Sequence, residues 1–246
     1  MVLSIRHPSK SDNAEVSDRS NQLIDLFPWE LQNSISASDR VILPAKKIIY
    51  QPDEEIQKVY FPIKGIVSLI NLGEDGKMAE FTMVGYEGAI GQAALFGVKQ
   101  PSSLAIAQTH CIAIGLPLSF LQREFDRGGE VQRILLLYSQ ALMFHVAQNV
   151  YCSCHHVLEQ RLARWLMAYS DRTQTHRILL TQETLADLLG VRRASLSVIA
   201  SDLRNRKLIN YNRGKITICD REGLRMVACK CDRLISAEYA RLFGIA

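Results

Sequence analysis

The sequence predicts an α+β protein built as an N-terminal antiparallel β-roll, a long helix and a C-terminal winged helix-turn-helix. Three observations predict it. Residues 41–116 alternate short apolar stretches with Gly, Pro, Asn and Asp, the texture of strands joined by turns. Residues 130–156 contain neither Gly nor Pro and are compatible with helix almost throughout. Residues 181–205 read as two short helices meeting at Gly190, and two alternating stretches follow them.

Taken in chain order, residues 1–20 are rich in Ser, Asp, Asn and Lys and are expected to form a mobile arm. A short helix is expected near Asn21–Gln32, opening a roll over residues 21–128. Within it Tyr50, Val59–Phe61, Gly65–Ile70, Ala79–Val84 and Ala105–Ala107 fit strands, and Gly73-Glu74-Asp75-Gly76-Lys77 is a hairpin turn with a glycine where positive φ is needed. Phe81, Met83, Phe96 and Leu104 are assigned to the core, although an apolar ligand pocket would draw on the same residues.

A helix over residues 129–156 would run about 40 Å, too long for a small domain to cover on all sides. Val131, Leu135, Tyr138, Leu142, His145, Asn149 and Cys152 lie close to heptad spacing and are expected to form a dimer seam against the same helix of a second copy. Ile134, Leu136, Leu137, Met143, Phe144 and Val146 supply a second apolar face for the helix's own roll. Residues 157–246 form the last unit, beginning with an amphipathic helix over Val157–Ser170.

In that unit Thr181 can cap the first short helix, which buries Leu185, Ala186 and Leu189. Gly190 ends it, because glycine enters the left-handed region without a Cβ clash. The second helix buries Leu196, Ile199 and Leu203, leaving Arg192, Arg193, Ser195, Ser197 and Ser201 mainly outward. Leu208–Tyr211 and Lys215–Ile218 then alternate as two strands around Asn212-Arg213-Gly214, which makes a wing. In this motif residues near the start of the second helix meet base edges, where arginine suits the two acceptors of guanine, and cations on the wing reach phosphate. The candidate contacts with double-stranded DNA are therefore Arg192, Arg193, Ser195, Ser197, Thr181, Gln182, Arg213 and Lys215.

Charge agrees. The net charge of the whole chain is only +4, but residues 1–156 carry 13 Lys and Arg against 16 Asp and Glu, whereas residues 157–246 carry 16 against 9. A net of −3 beside a net of +7 is expected when one module meets a polyanion and the other does not. No apolar run reaches the ~18 residues that span a bilayer, and Met1–Ser20 lacks a signal-peptide core, so a cytoplasmic protein with no membrane partner is expected.

Roll, long helix and winged helix, in this order and with these lengths, resemble the cyclic-AMP receptor protein family of bacterial transcription regulators, often called Crp/Fnr. The resemblance runs from about residue 22 onward. It is carried by Phe61-Pro62-Ile63-Lys64-Gly65 with the Asp75-Gly76-Lys77 turn, by Ile90-Gly91-Gln92-Ala93-Ala94-Leu95-Phe96, and by Thr181-Gln182-Glu183 through the second short helix. It implies a jelly roll of the cyclic-nucleotide-binding type, a homodimer on a two-fold symmetric, palindromic operator, and RNA polymerase as a further partner if the protein activates.

The departures limit what carries over. Nucleotide-binding members hold a glutamate for the ribose hydroxyl and an arginine for the cyclic phosphate in the segment matching Ile90–Ser103. Here Gln92 and Ser102 stand near those positions, and no arginine occurs between Arg40 and Arg123, so control by cyclic AMP is not expected. Lys99 would be the sole replacement charge. The oxygen-sensing branch holds iron and sulfur on N-terminal cysteines, whereas this chain has no cysteine before Cys111. No cofactor is expected, and the effector is unknown. On the second short helix the family's Arg, Glu and Arg positions are Arg193, Ala194 and Val198, so the operator sequence should differ.

A second reading is a metal, redox or small-ligand sensor. Cys152-Ser153-Cys154-His155-His156 places two thiols and two imidazoles near the hinge between modules. Thiols two residues apart on a helix point about 200° away from each other, so one helix cannot close a site from Cys152, Cys154, His155 and His156 alone. Cys229-Lys230-Cys231 is read as structural. A cupin-like enzyme is the remote alternative, but only His110 of the six histidines lies in the β region, and no catalytic constellation is visible.

Overall fold

The computed structural model describes residues 20–244. The arm expected at the N-terminus lies, apart from Ser20, outside the described residues. The helix expected near Asn21–Gln32 is two helices, α1 (Gln22–Leu26) and α2 (Trp29–Ser34). Pro28 divides them: a residue before proline is pushed out of the α region, and Phe27 is extended with ψ 155°. Asn21 is fully buried and satisfied, its Oδ1 accepting from the amides of Leu23 and Ile24 while Nδ2 donates to the carbonyls of Pro62 and Gly88.

The roll contains β1 (Arg40–Leu43), β2 (Ile48–Tyr50), β3 (Lys58–Lys64), β4 (Val67–Leu72), β5 (Met78–Val84), β6 (Leu104–Ala107) and β7 (Cys111–Pro117). They form two antiparallel sheets, ordered β1-β7-β3 and β2-β6-β4-β5. Val67, Leu69, Val84, Ala105, Ala107, Cys111 and Ala113 meet between the sheets, together with Tyr50. The β4–β5 hairpin turns through Gly76 at φ 75°.

Outside the first sheet Val59, Phe61 and Leu116 pack on α1, α2, α3 (Leu118–Asp126) and the start of α4 (Glu130–His155). Outside the second, Ile66, Ile70, Met83 and Leu104 pack on α5 (Leu158–Thr173). Helix α3 lies beyond the elements legible in the sequence; it buries Leu121 and Phe125, four residues apart on one face.

The C-terminal unit continues with β8 (Arg177–Leu179), α6 (Gln182–Leu189), α7 (Arg193–Asn205), β9 (Ile209–Asn212), β10 (Lys215–Ile218), α8 (Arg221–Val227) and α9 (Cys231–Phe243). The wing has a third strand, in the order β8-β10-β9. After α8, helix α9 runs along α4, bringing Tyr239 and Phe243 onto the helix-covered side of the roll.

Helix α4 corrects one expectation. Val131, Leu135, Tyr138, His145 and Cys152 are buried within the chain rather than presented to another copy, and Leu142 and Asn149 are partly buried there. Tyr138 donates its hydroxyl to the Ala89 carbonyl at 2.9 Å, and Asn149 Nδ2 donates to the Phe81 carbonyl at 2.8 Å. Leu136, Met143 and Val150 face outward instead, 49%, 64% and 57% exposed. The helix is apolar almost all round, so spacing alone fits two faces, and contact with the roll and α9 selects between them.

Candidate nucleic-acid interface

Helix α6 begins at Thr181, whose Oγ1 accepts the Thr184 amide at 3.1 Å and meets the Thr184 hydroxyl at 2.9 Å. It ends at Gly190, φ 64°, whose amide turns back to the carbonyls of Ala186 and Asp187. The apolar side is Leu185, Ala186 and Leu188; Leu189, expected in the core, is only half-buried because the helix rotates Leu188 inward. Arg161 reaches across from α5 and donates to the Leu189 carbonyl at 2.6 Å.

Helix α7 buries Leu196, Ala200 and Leu203. Ile199 sits at the border of this face, and Ala200 takes the inner place because a small side chain allows close helix contact. Arg192 is the residue before the helix rather than its first turn, and Arg193 opens it. Arg192, Arg193 and Ser195 are exposed at this end; Ser197 and Ser201 are half-buried, and Val198 is 68% exposed. The free amides of a helix start favour an anion there.

At the wing, Asn212 pairs with Lys215 and two residues make the turn, Arg213 at φ 44° and Gly214 at φ 79°. Positive φ at both central residues matches the twist of a tight hairpin, and it leaves Arg213 exposed at the tip beside exposed Lys215. The wing is tied to α6 by the Tyr211 hydroxyl, which accepts the Gln182 amide at 3.3 Å. Gln182 is half-buried and Thr181 exposed.

The reader is anchored to the roll by polar contacts that sequence spacing did not indicate. Trp165 Nε1 donates to Glu80 Oε1 at 2.7 Å, and the Ser68 hydroxyl donates to the other carboxylate oxygen. Burial pushes the Glu80 carboxyl above its usual range, partly offset by those two donors. Arg172 on α5 pairs with Glu87 at 2.7 Å, both nearly buried. His145 lies against the Thr82 hydroxyl, 3.3 Å away, and burial, then Arg172 and Arg164, hold its imidazole well below the usual value.

The Cys/His stretch at the end of α4 divides. Cys154 and His155 are exposed, and Tyr151 stacks on His155 with ring centroids 4.6 Å apart. Cys152 and His156 turn inward and meet Cys229 and Cys231, so the second Cys-x-Cys, read as structural from sequence, joins the first. Cys152 Sγ lies 3.4 Å from Cys229 Sγ, and Cys231 Sγ lies 3.4 Å from His156 Nδ1. The recurrence of Cys-x-Cys was the available signal, but it does not show that two such pairs converge.

Comparison with known proteins agrees with this architecture. Residues 40–127 match the model of the cyclic nucleotide-binding domain and residues 160–227 match that of the Crp-like helix-turn-helix domain, which together span most of the chain. Among characterised relatives, the global nitrogen regulator of Synechococcus elongatus is 22% identical over 70% of this chain and 82% of its own. The HTH-type transcriptional regulator ArcR of Staphylococcus epidermidis is 24% identical over 79% and 92%. In structure, a CRP-family transcriptional regulator from Thermus thermophilus superimposes with TM-score 0.66 at 24% identity over 76% of this chain and 96% of that one. FixK2 from Bradyrhizobium japonicum gives 0.64 at 18% identity over 77% and 96%. With both domain models in their expected order around a long helix, the chain belongs to the Crp/Fnr family of transcription regulators.

Proposed function

We propose that the protein regulates transcription as a homodimer that reads a palindromic operator, with Arg192, Arg193 and Ser195 as first contacts and Arg213 and Lys215 on flanking phosphate. The observation that carries this is the start of α7. Arg192 just before the helix and Arg193 and Ser195 in its first turn are exposed there, and the helix's opposite face is held in one core with α6 and the wing. Thr181, Gln182 and Ser197 contribute from the margins of that surface, and exposed Val198 suits the methyl group of thymine. Leu136, Met143 and Val150, each seven residues from the next, are the seam residues of the dimer. Two-fold pairing along α4 presents two α7 helices, which is what a palindrome requires.

Cyclic AMP is not the signal in this reading. The segment that would hold its phosphate has no arginine, and Tyr50, whose hydroxyl bonds to Ser103, is buried in the core between the sheets. Such a dimer would meet RNA polymerase at activated promoters. The test is selection of fragments from a random DNA pool by the purified protein, without added ligand, at near-physiological salt. A palindromic motif with half-sites about one helical turn apart is expected. A non-palindromic motif or uniform binding of all fragments would overturn the dimeric reading.

A further inference from the structure

We infer that Cys152, His156, Cys229 and Cys231 form a binding site for one zinc-class metal ion, bridging the end of the long helix to the chain that returns from the winged helix. The four donor atoms lie within 4.8 Å of one another. In a tetrahedron with metal–sulfur bonds of ~2.3 Å, neighbouring ligand atoms sit about 3.8 Å apart. The 3.4 Å separations of Cys152 from Cys229 and of Cys231 from His156 are close to that value, so small side-chain adjustments suffice.

The donor chemistry fits zinc. Three thiols and one imidazole are a recurrent closed set for structural zinc, and soft thiolates disfavour magnesium or calcium. A multi-iron cluster needs its thiolates spread around an iron–sulfide core, wider than this spacing allows, and ordinarily takes thiolates alone. The three thiols are buried and His156 half-buried, so an ion bound here would be shielded on most sides. Gln148 Nε2 donates to Cys231 Sγ at 3.2 Å, the kind of outer hydrogen bond that orients a thiolate ligand. Binding would convert three thiols to thiolates and release their protons, so affinity should rise with pH.

The placement gives the ion a mechanical role. The chain leaves α4 at His156, builds the whole winged helix, and returns to Cys229, 77 residues after Cys152. Metal at this point would close that excursion at its base and fix α9 to α4, so loss of the ion would loosen the reader from the dimer helix. No contact with DNA is required, and the inference stands whether or not the operator reading does.

The test is metal analysis of the full chain purified under reducing conditions without chelator. About one zinc per chain is expected. It should be lost in Cys229→Ser and Cys231→Ser and retained in Cys154→Ser and Cys219→Ser, whose thiols are exposed and outside the group. Should the first two variants fail to fold, wild-type protein stripped by chelator and titrated with cobalt alone keeps the question open to refutation. Sulfur-to-cobalt charge transfer and intense tetrahedral bands are expected. Protein that carries no zinc, gains no cobalt spectrum and shows all six thiols titratable with the metal present would overturn the inference, as would stoichiometric iron with acid-labile sulfide.

Discussion

Replacing Met143 by glutamate tests the exposed face of α4 as the dimer seam. Met143 is 64% exposed in the single chain. Full burial of a methionine side chain is worth about 1.5–3 kcal/mol, so covering the exposed part contributes about 1–2 kcal/mol per copy. The seam holds two copies, and Met143→Glu should weaken association by about 2–4 kcal/mol before the two carboxylates repel each other. At about 1.4 kcal/mol per tenfold, the dimer dissociation constant rises roughly 30- to 1,000-fold. Sedimentation velocity across a concentration series reads this directly, with thermal unfolding of the monomer checking that the fold is intact. Leu135→Ala is the contrast: Leu135 is fully buried against the roll, so it should cost about 2–5 kcal/mol of folding stability and leave association of the folded protein unchanged. Wild-type dimerisation by Met143→Glu, or dissociation of Leu135→Ala without loss of stability, would refute this seam.

Two further outcomes follow from the interface and its anchor. Arg193→Ala should cost about 1–3 kcal/mol on the selected operator and relax preference at one base position, whereas Arg213→Ala should weaken operator and random DNA alike and lower the salt slope by about 1; anisotropy titrations at several salt concentrations separate the two. Glu80 has a carboxyl pKa raised above 4.5 in the folded protein, so its contribution to stability is greatest below the unfolded value and is lost as pH rises through the folded one. Glu80→Gln, which keeps an acceptor for Trp165, should therefore gain in melting temperature relative to wild type between mildly acidic and neutral pH, and a difference that is flat with pH would contradict the raised carboxyl pKa.

Local chemistry made much of this protein legible in its sequence. Gly190 between two short apolar patterns, the Asn212-Arg213-Gly214 turn and the cap at Thr181 act within a few residues, so the winged helix and its exposed arginines could be read directly. The order of roll, long helix and reader was equally plain, because each has its own period of apolar residues. Residues facing away from a local pattern were another matter. Helix α4 carries apolar side chains on two faces, and only the roll and α9 packed against it decide that Tyr138 and His145 turn inward while Leu136, Met143 and Val150 remain outside. The sharper case is Cys152 and His156 with Cys229 and Cys231. Their meeting depends on α9 folding back along α4 after the whole winged helix has been built, and side-chain periodicity carries no information about contacts closed over that length of chain.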